Sequence, residues 1–173
     1  MRTFRTSVLC LTTIIAVGAE NIAAHAQPVS ASRQSPSMVV SIAMQKDRVL
    51  VGRAPWVVLT AKNITDREVP FRTSLSAFHP YVEAEKGEAP KTELHRHLRG
   101  DFRPGDHPDL AGGDQAIREI APSGSTVQTI ELTPYYDFTK PGKYSVYLEV
   151  YDQSTKLWVR TNTVQFEIQA PPQ

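Results

Sequence analysis

Ile130-Glu-Leu-Thr-Pro-Tyr-Tyr-Asp-Phe-Thr-Lys-Pro-Gly-Lys-Tyr-Ser-Val-Tyr-Leu-Glu-Val-Tyr-Asp152 decides the fold. It reads as the end of one strand, a corner on Pro141-Gly142, and a second strand of strict alternation. Tyr144, Val146, Leu148 and Val150 share one face, while Ser145, Tyr147, Glu149 and Tyr151 share the other. A period of two with one apolar and one polar face marks a strand that buries one side and wets the other.

Similar segments lie on both sides. Upstream, 38–44 alternates, 47–52 continues it, and 55–63 is apolar on both sides at its start, as a central strand would be. Asn63 to Arg67 supplies turn residues and directs a hairpin toward 69–72. Asn63-Ile64-Thr65 also matches a glycosylation sequon, which matters only in a eukaryotic secretory route. Residues 81–87 and 92–98 read as two further strands, the second one polar, followed by an irregular segment from Arg99 to Gln115 rich in Gly and Pro. Loops of that length inside a compact domain are functional or mobile. A short strand at 116–120, a turn at 121–125, a strand at 126–132 and a closing strand region at 157–168 complete the count. No helical period competes. The expected fold is all-β: an antiparallel immunoglobulin-like β-sandwich of about seven to nine strands.

The amino terminus reads as an export signal. Arg2 and Arg5 precede an apolar run at 8–18 and then Ala24-His25-Ala26, so cleavage is expected after Ala26 and the product is expected to be exported, periplasmic or extracellular. Residues 27–37, made of Ser, Pro, Gln and Ala, form a flexible lead, and the sandwich domain occupies 38–170. Cys10 leaves with the signal, so the mature domain has no disulfide and relies on packing. Taking Arg2, Arg5 and Glu20 from the 19 basic and 18 acidic residues leaves 17 of each. This neutral balance gives no global footprint for nucleic acid, and no apolar run after the signal is long enough to span a membrane.

Gly142-Lys143-Tyr144-Ser145-Val146 resembles the immunoglobulin-type tyrosine corner, with Val146 where antibody domains place a cysteine. Tyr136, Pro141, Gly142 and Tyr144 are therefore expected to be structural. Over residues 56–148, the order Leu59-Thr-Ala-Lys-Asn63, Phe71-Arg-Thr-Ser74, Tyr81-Val-Glu-Ala-Glu-Lys-Gly87, Ile120-Ala-Pro-Ser-Gly-Ser125, Leu132 to Tyr136, Asp137 and Pro141-Gly142-Lys-Tyr144 resembles a secreted bacterial β-domain. It is similar to the domain that precedes the catalytic part of aspzincin (deuterolysin-type) metalloproteases, and more loosely to BsuPI-type proteinase inhibitors. The protease would need His-Glu-x-x-His and Gly-Thr-x-x-x-Asp, which this chain lacks, so its activity is not implied.

Candidate sites follow from side-chain chemistry. If 92–98 is a strand, His95 and His97 share a face, and His107 with Asp101, Asp106, Asp109 and Asp114 follows closely; such a set suits zinc or copper. The same residues also fit a solvated surface on which Arg96, Arg99 and Arg103 pair with the aspartates. The cofactor expectation is none, with metal at His95, His97 and His107 as the alternative. No Gly-x-Ser-x-Gly elbow and no mature cysteine support nucleophilic catalysis, so no enzyme is expected. Trp56 is assigned to the core and Tyr136 to corner packing. Tyr147 and Tyr151 point outward about 13 Å apart at about 3.3 Å per residue, and with Arg99, Phe102 and Arg103 they form the expected contact surface. The resulting expectation is a non-enzymatic binding or accessory module with a protein partner. Proteinase inhibition is the first alternative and metal binding the second.

Overall fold

The computed structural model describes residues 34–101, 103–105 and 116–172. The expected signal at 1–26 lies outside them. Two sheets face each other across one apolar core. The first is β1 (Met38–Met44), β3 (Trp56–Asn63) and β8 (Ser125–Glu131), with β3 in the middle. The second runs β2 (Arg48–Leu50), β11 (Val164–Gln169), β9 (Gly142–Asp152), β5 (Phe78–Ala84), β6 (Gly87–Glu88), with β10 (Leu157–Arg160) also paired to β9. β4 (Val69–Arg72) and β7 (Ile117–Ile120) make a separate antiparallel pair. The fold is the expected immunoglobulin-like β-sandwich. Its eleven described strands exceed seven to nine because short pieces such as β2 and β6 escape a periodicity test. All pairs are antiparallel except β2 with β11, which is parallel.

The core follows the alternation. Val57, Leu59 and Ala61 of β3 meet Tyr144, Val146, Leu148 and Val150 of β9, with Phe166 and Ile168 of β11 alongside. Fully burying each such side chain is worth about 1.5–3 kcal/mol. The corner at the start of β9 is built as expected. Tyr144 Oη donates to the carbonyl of Lys140 at 2.8 Å, and Gly142 takes φ +154°, a conformation that disfavours any Cβ. Phe138, Tyr144 and Phe166 close the corner with ring centroids 5.5–5.7 Å apart.

Polar side chains stand in where the backbone cannot pair. Asp152 is fully buried at the far end of β9. It accepts from the Ser37 amide at 2.6 Å, the Ser37 hydroxyl at 2.8 Å and the Ser154 amide at 3.0 Å. Ser37, placed at the end of the lead by composition, is thus tied to the domain through Asp152. Burial pushes the Asp152 carboxyl up, but hydrogen bonds from Ser37 and Thr155 outweigh it and hold the carboxyl below its ordinary value.

Asn63 is equally buried. Its amide donates to the carbonyls of Arg67 (2.6 Å), Ile120 (2.9 Å) and Ala121 (3.1 Å), and its carbonyl accepts from Thr65. A glycan on this sequon is incompatible with that packing. The same bonds anchor the turn beside β7, and β4 pairs with β7 instead of forming the expected hairpin with β3. The closing region 157–168 divides into β10 and β11 around Thr161, whose hydroxyl accepts the Leu148 amide at 2.9 Å. Asn162 then pairs with both backbone groups of Ile42 at 2.8 and 3.0 Å, stitching β1 to this loop.

The largest departure is at 92–98. A polar strand is expected there, and the chain forms α1 (Glu93–Arg99). Thr92 caps it by accepting the His95 amide at 3.2 Å, and Gly100 ends it at φ 72°. Asp101 N–H reaches Arg96 O and Gly100 N–H reaches His97 O, a Schellman closure. Both caps satisfy helix-end groups that a strand would leave to solvent.

Two substitutions test these pins by chemical denaturation. Tyr144→Phe is expected to cost about 1 kcal/mol, and Asp152→Ala about 3 kcal/mol because it strands buried donors. Since the Asp152 carboxyl is depressed in the fold, its contribution is present above the unfolded carboxylate range and is lost as pH falls through its folded value. Equal urea midpoints for Asp152→Ala and the parent would refute the clamp.

Candidate functional site

On the outer face of the second sheet, odd-numbered residues of β9 meet outward residues of β5 and β10. The register sets Tyr81 opposite Tyr147, His79 opposite Glu149, Glu149 opposite Arg160 and Tyr151 opposite Trp158. Tyr81 and Tyr147 stack at 4.6 Å with planes 10° apart, the spacing of neighbouring strands. The Arg160 guanidinium carbon lies 3.6 Å from the centroid of the Tyr147 ring, and that of Arg99 lies 4.4 Å from the Tyr81 centroid. The result is a four-member row of Arg99, Tyr81, Tyr147 and Arg160 across the sheet. Each cation over a ring at a partly exposed site is worth about 0.5–1 kcal/mol.

A second row crosses beside it. The His79 ring stacks on Trp158 at 3.8 Å and 20°, and Tyr151 leans on Trp158 at 5.1 Å. Arg99 joins the two rows, since its Nη1 lies 2.6 Å from His79 Nδ1. A guanidinium has only donors, so Nδ1 accepts and the His79 proton resides on Nε2. Burial and the Arg99 charge lower the His79 pKa to about 4, while Glu149 opposes that shift. Tyr81 Oη donates to Glu149 Oε2 at 2.9 Å, keeping the carboxylate within the row. Trp158 remains 42% exposed.

α1 places Arg99 here because its other face is anchored inside. His95 is buried, with its ring edge-on to Tyr136 at 4.8 Å. Tyr136 Oη lies 3.1 Å from both the Pro80 carbonyl and His95 Nε2. The carbonyl only accepts, so the hydroxyl proton goes to Pro80 and His95 donates from Nε2. That leaves His95 Nδ1 as a buried lone pair without a partner. Burial, followed by the charges of Lys91 and Arg99, lowers the His95 pKa to about 4. Tyr136 thus pins the helix and caps the edge of β5 as well as packing on Phe138.

The expected site residues fare unequally. Tyr147 and Tyr151 do face outward, but as members of stacks rather than as free rings. Arg99 belongs to the same face, reached from a helix rather than from a loop. Phe102 and His107 lie outside the described residues, as do residues 106–115; Arg103 is exposed. The shared face expected for His95 and His97 rests on a strand. On a helix, residues two apart point in nearly opposite directions, and here His95 turns inward. Among the described residues no group of three His, Cys, Asp or Glu side chains is arranged to hold a metal. Trp56, expected in the core, occupies an outward position of β3 and is half-buried. His79 and Arg160 are additions to the expected surface, and Glu149, expected on the polar face of β9, joins them. The alternation around Pro80 and Val82 marks His79 and Tyr81 as outward, but their partners depend on strand register.

No family model matches the chain, and no curated protein matches it. Among solved structures it is similar to the CARDB domain of the PF1109 protein from Pyrococcus furiosus: 16% identity, 79% of this chain and 89% of that one, TM-score 0.41. It is also similar to a β-glucosidase from Listeria innocua: 13% identity, 77% of this chain and 16% of that one, TM-score 0.42. At these values the likenesses add nothing to what the strand topology establishes. Among the described residues no helix is long and apolar enough to cross a membrane.

The two histidines predict an acid limb in stability. Both have folded values of about 4 against 6.5, so the unfolded chain binds more protons between those values. Stability is complete above about pH 6.5 and falls toward pH 4, by on the order of 3 kcal/mol for His95 and less for the solvent-screened His79. Urea midpoints across this window should fall less steeply in His79→Gln/His95→Gln than in the parent. Parallel curves would exclude neutral histidines as the cause.

Proposed function

We propose that the chain is an exported, non-enzymatic binding module, or an accessory domain of that kind, whose contact surface is the outer face of β5, β9 and β10. The observation that carries this reading is the row of Arg99, Tyr81, Tyr147 and Arg160 beside the His79–Trp158 stack. Tyr, Trp and Arg are the residues that dominate protein contacts, because they offer large rigid surfaces with a polar edge. Stacking holds both guanidiniums in place before any partner arrives, so little side-chain freedom remains to be lost on binding. The partner is a protein that brings carboxylates or carbonyls to the arginine edges and an apolar group to Trp158. Export rests on the order of Arg2, Arg5, the apolar run and Ala24-His25-Ala26. Proteinase inhibition and metal binding have no geometric observation of their own behind them, since most of the segment after Arg103 lies outside the described residues.

Affinity capture from the exported fraction of the source cells, with parent protein and Trp158→Ala/Arg160→Ala in parallel, tests the proposal. The parent should retain a partner in stoichiometric amount, and the variant, with unchanged circular dichroism, should bind it at least about tenfold more weakly, the loss of two interface anchors. Equal retention by both proteins, or no partner for either, would refute it.

A further inference from the structure

At one end of the sandwich the chain crosses between sheets and back, and this excursion encloses a cleft. After Met44 it leaves the first sheet, adds β2 in parallel to β11, and turns at Gly52 (φ +80°) to begin β3 at Trp56. The excursion is held at both ends: the Gln45 amide donates to Trp56 O and the Val51 amide to Gln169 O, each at 2.9 Å. The space between is about 710 Å³, within the range of about 300–1,000 Å³ typical of small-molecule sites.

Its lining has two characters. Trp56 and Leu50, the latter 43% exposed, supply an apolar wall. Lys46, Arg48 and Arg53 supply three cations. Arg48 reaches Glu167 only loosely, at 3.6 Å. Lys46 and Arg53 have no ion-pair partner among the described residues. Cations gathered in one ten-residue excursion repel one another, and Asp47 with the loose Arg48–Glu167 contact offsets that repulsion only in part. From this arrangement we infer a binding site for a small organic anion with a flat apolar body, which lies along Trp56 and Leu50 and presents its carboxylate, sulfonate or phosphate to Lys46 and Arg53. The site is independent of the outer sheet face and of the partner proposed for it. A simple inorganic anion would use the cations and leave the indole wall idle, whereas a neutral apolar molecule would use only the wall.

Trp158→Phe leaves Trp56 as the only tryptophan and makes a reporter protein. Titration with 1-anilinonaphthalene-8-sulfonate should quench Trp56 as the bound dye brightens. Lys46→Ala/Arg53→Ala in that background, both exposed positions, should weaken binding roughly tenfold with unchanged circular dichroism. N-phenyl-1-naphthylamine, which lacks the sulfonate, should bind both proteins alike. Equal binding of the sulfonate to both proteins would overturn the inference, as would displacement of the dye by inorganic phosphate at equal concentration.

Discussion

β9 is held on both edges, by β5 along one and by β10 and β11 along the other, so its register governs nearly everything else in the second sheet. A slip of one residue would exchange Tyr144, Val146, Leu148, Val150 and Asp152 for Ser145, Tyr147, Glu149 and Tyr151, turning the core inside out. Two polar contacts prevent it. Tyr144 fixes the first residues of the strand to the corner through Lys140 O, and Asp152 fixes the last through Ser37. A domain without a disulfide needs its register set by such bonds, because hydrophobic burial is non-directional and does not by itself distinguish one register from a slip of two.

The same economy of buried polar groups explains how the sheets are joined. Asn63, Thr161 and Asn162 each complete backbone groups that no strand reaches. An unpaired buried amide or carbonyl costs about 1–3 kcal/mol, so each of these side chains is worth more than its own contact. They also decide topology, since Asn63 turns the chain toward β7 and Asn162 makes the edge residue Ile42 part of a continuous bonding pattern.

Alternation made the sandwich legible. The inward set of β9, the corner at Tyr144 and the strands at 38–44, 55–63 and 126–132 all follow from period and turn chemistry in the sequence. Residues 92–98 did not, although Thr92 is an ordinary helix start signal and Gly100 an ordinary stop signal; seven residues are too few for a helical period to outweigh a polar composition. The row of rings and arginines on the outer sheet face was half legible. Its outward tyrosines follow from alternation, but Tyr81 beside Tyr147 and Trp158 over His79 depend on which strands pair and in what register, which no single strand encodes. Trp56 lies outward rather than in the core, because a run that is apolar on both sides carries no direction.

Replacing the expected strand with a helix also changes what the histidines do. A strand would have shown two imidazoles to solvent; α1 instead buries His95 against Tyr136 and projects Arg99 over β5. One arginine then touches a ring face and a ring nitrogen at once, which requires His79 to be neutral. Arg99 donates to a lone pair that a protonated imidazole would not have, and the two cations would repel. A neutral His79 is thus what lets Arg99 complete the arginine row, so that row and the acid limb of stability draw on the same group.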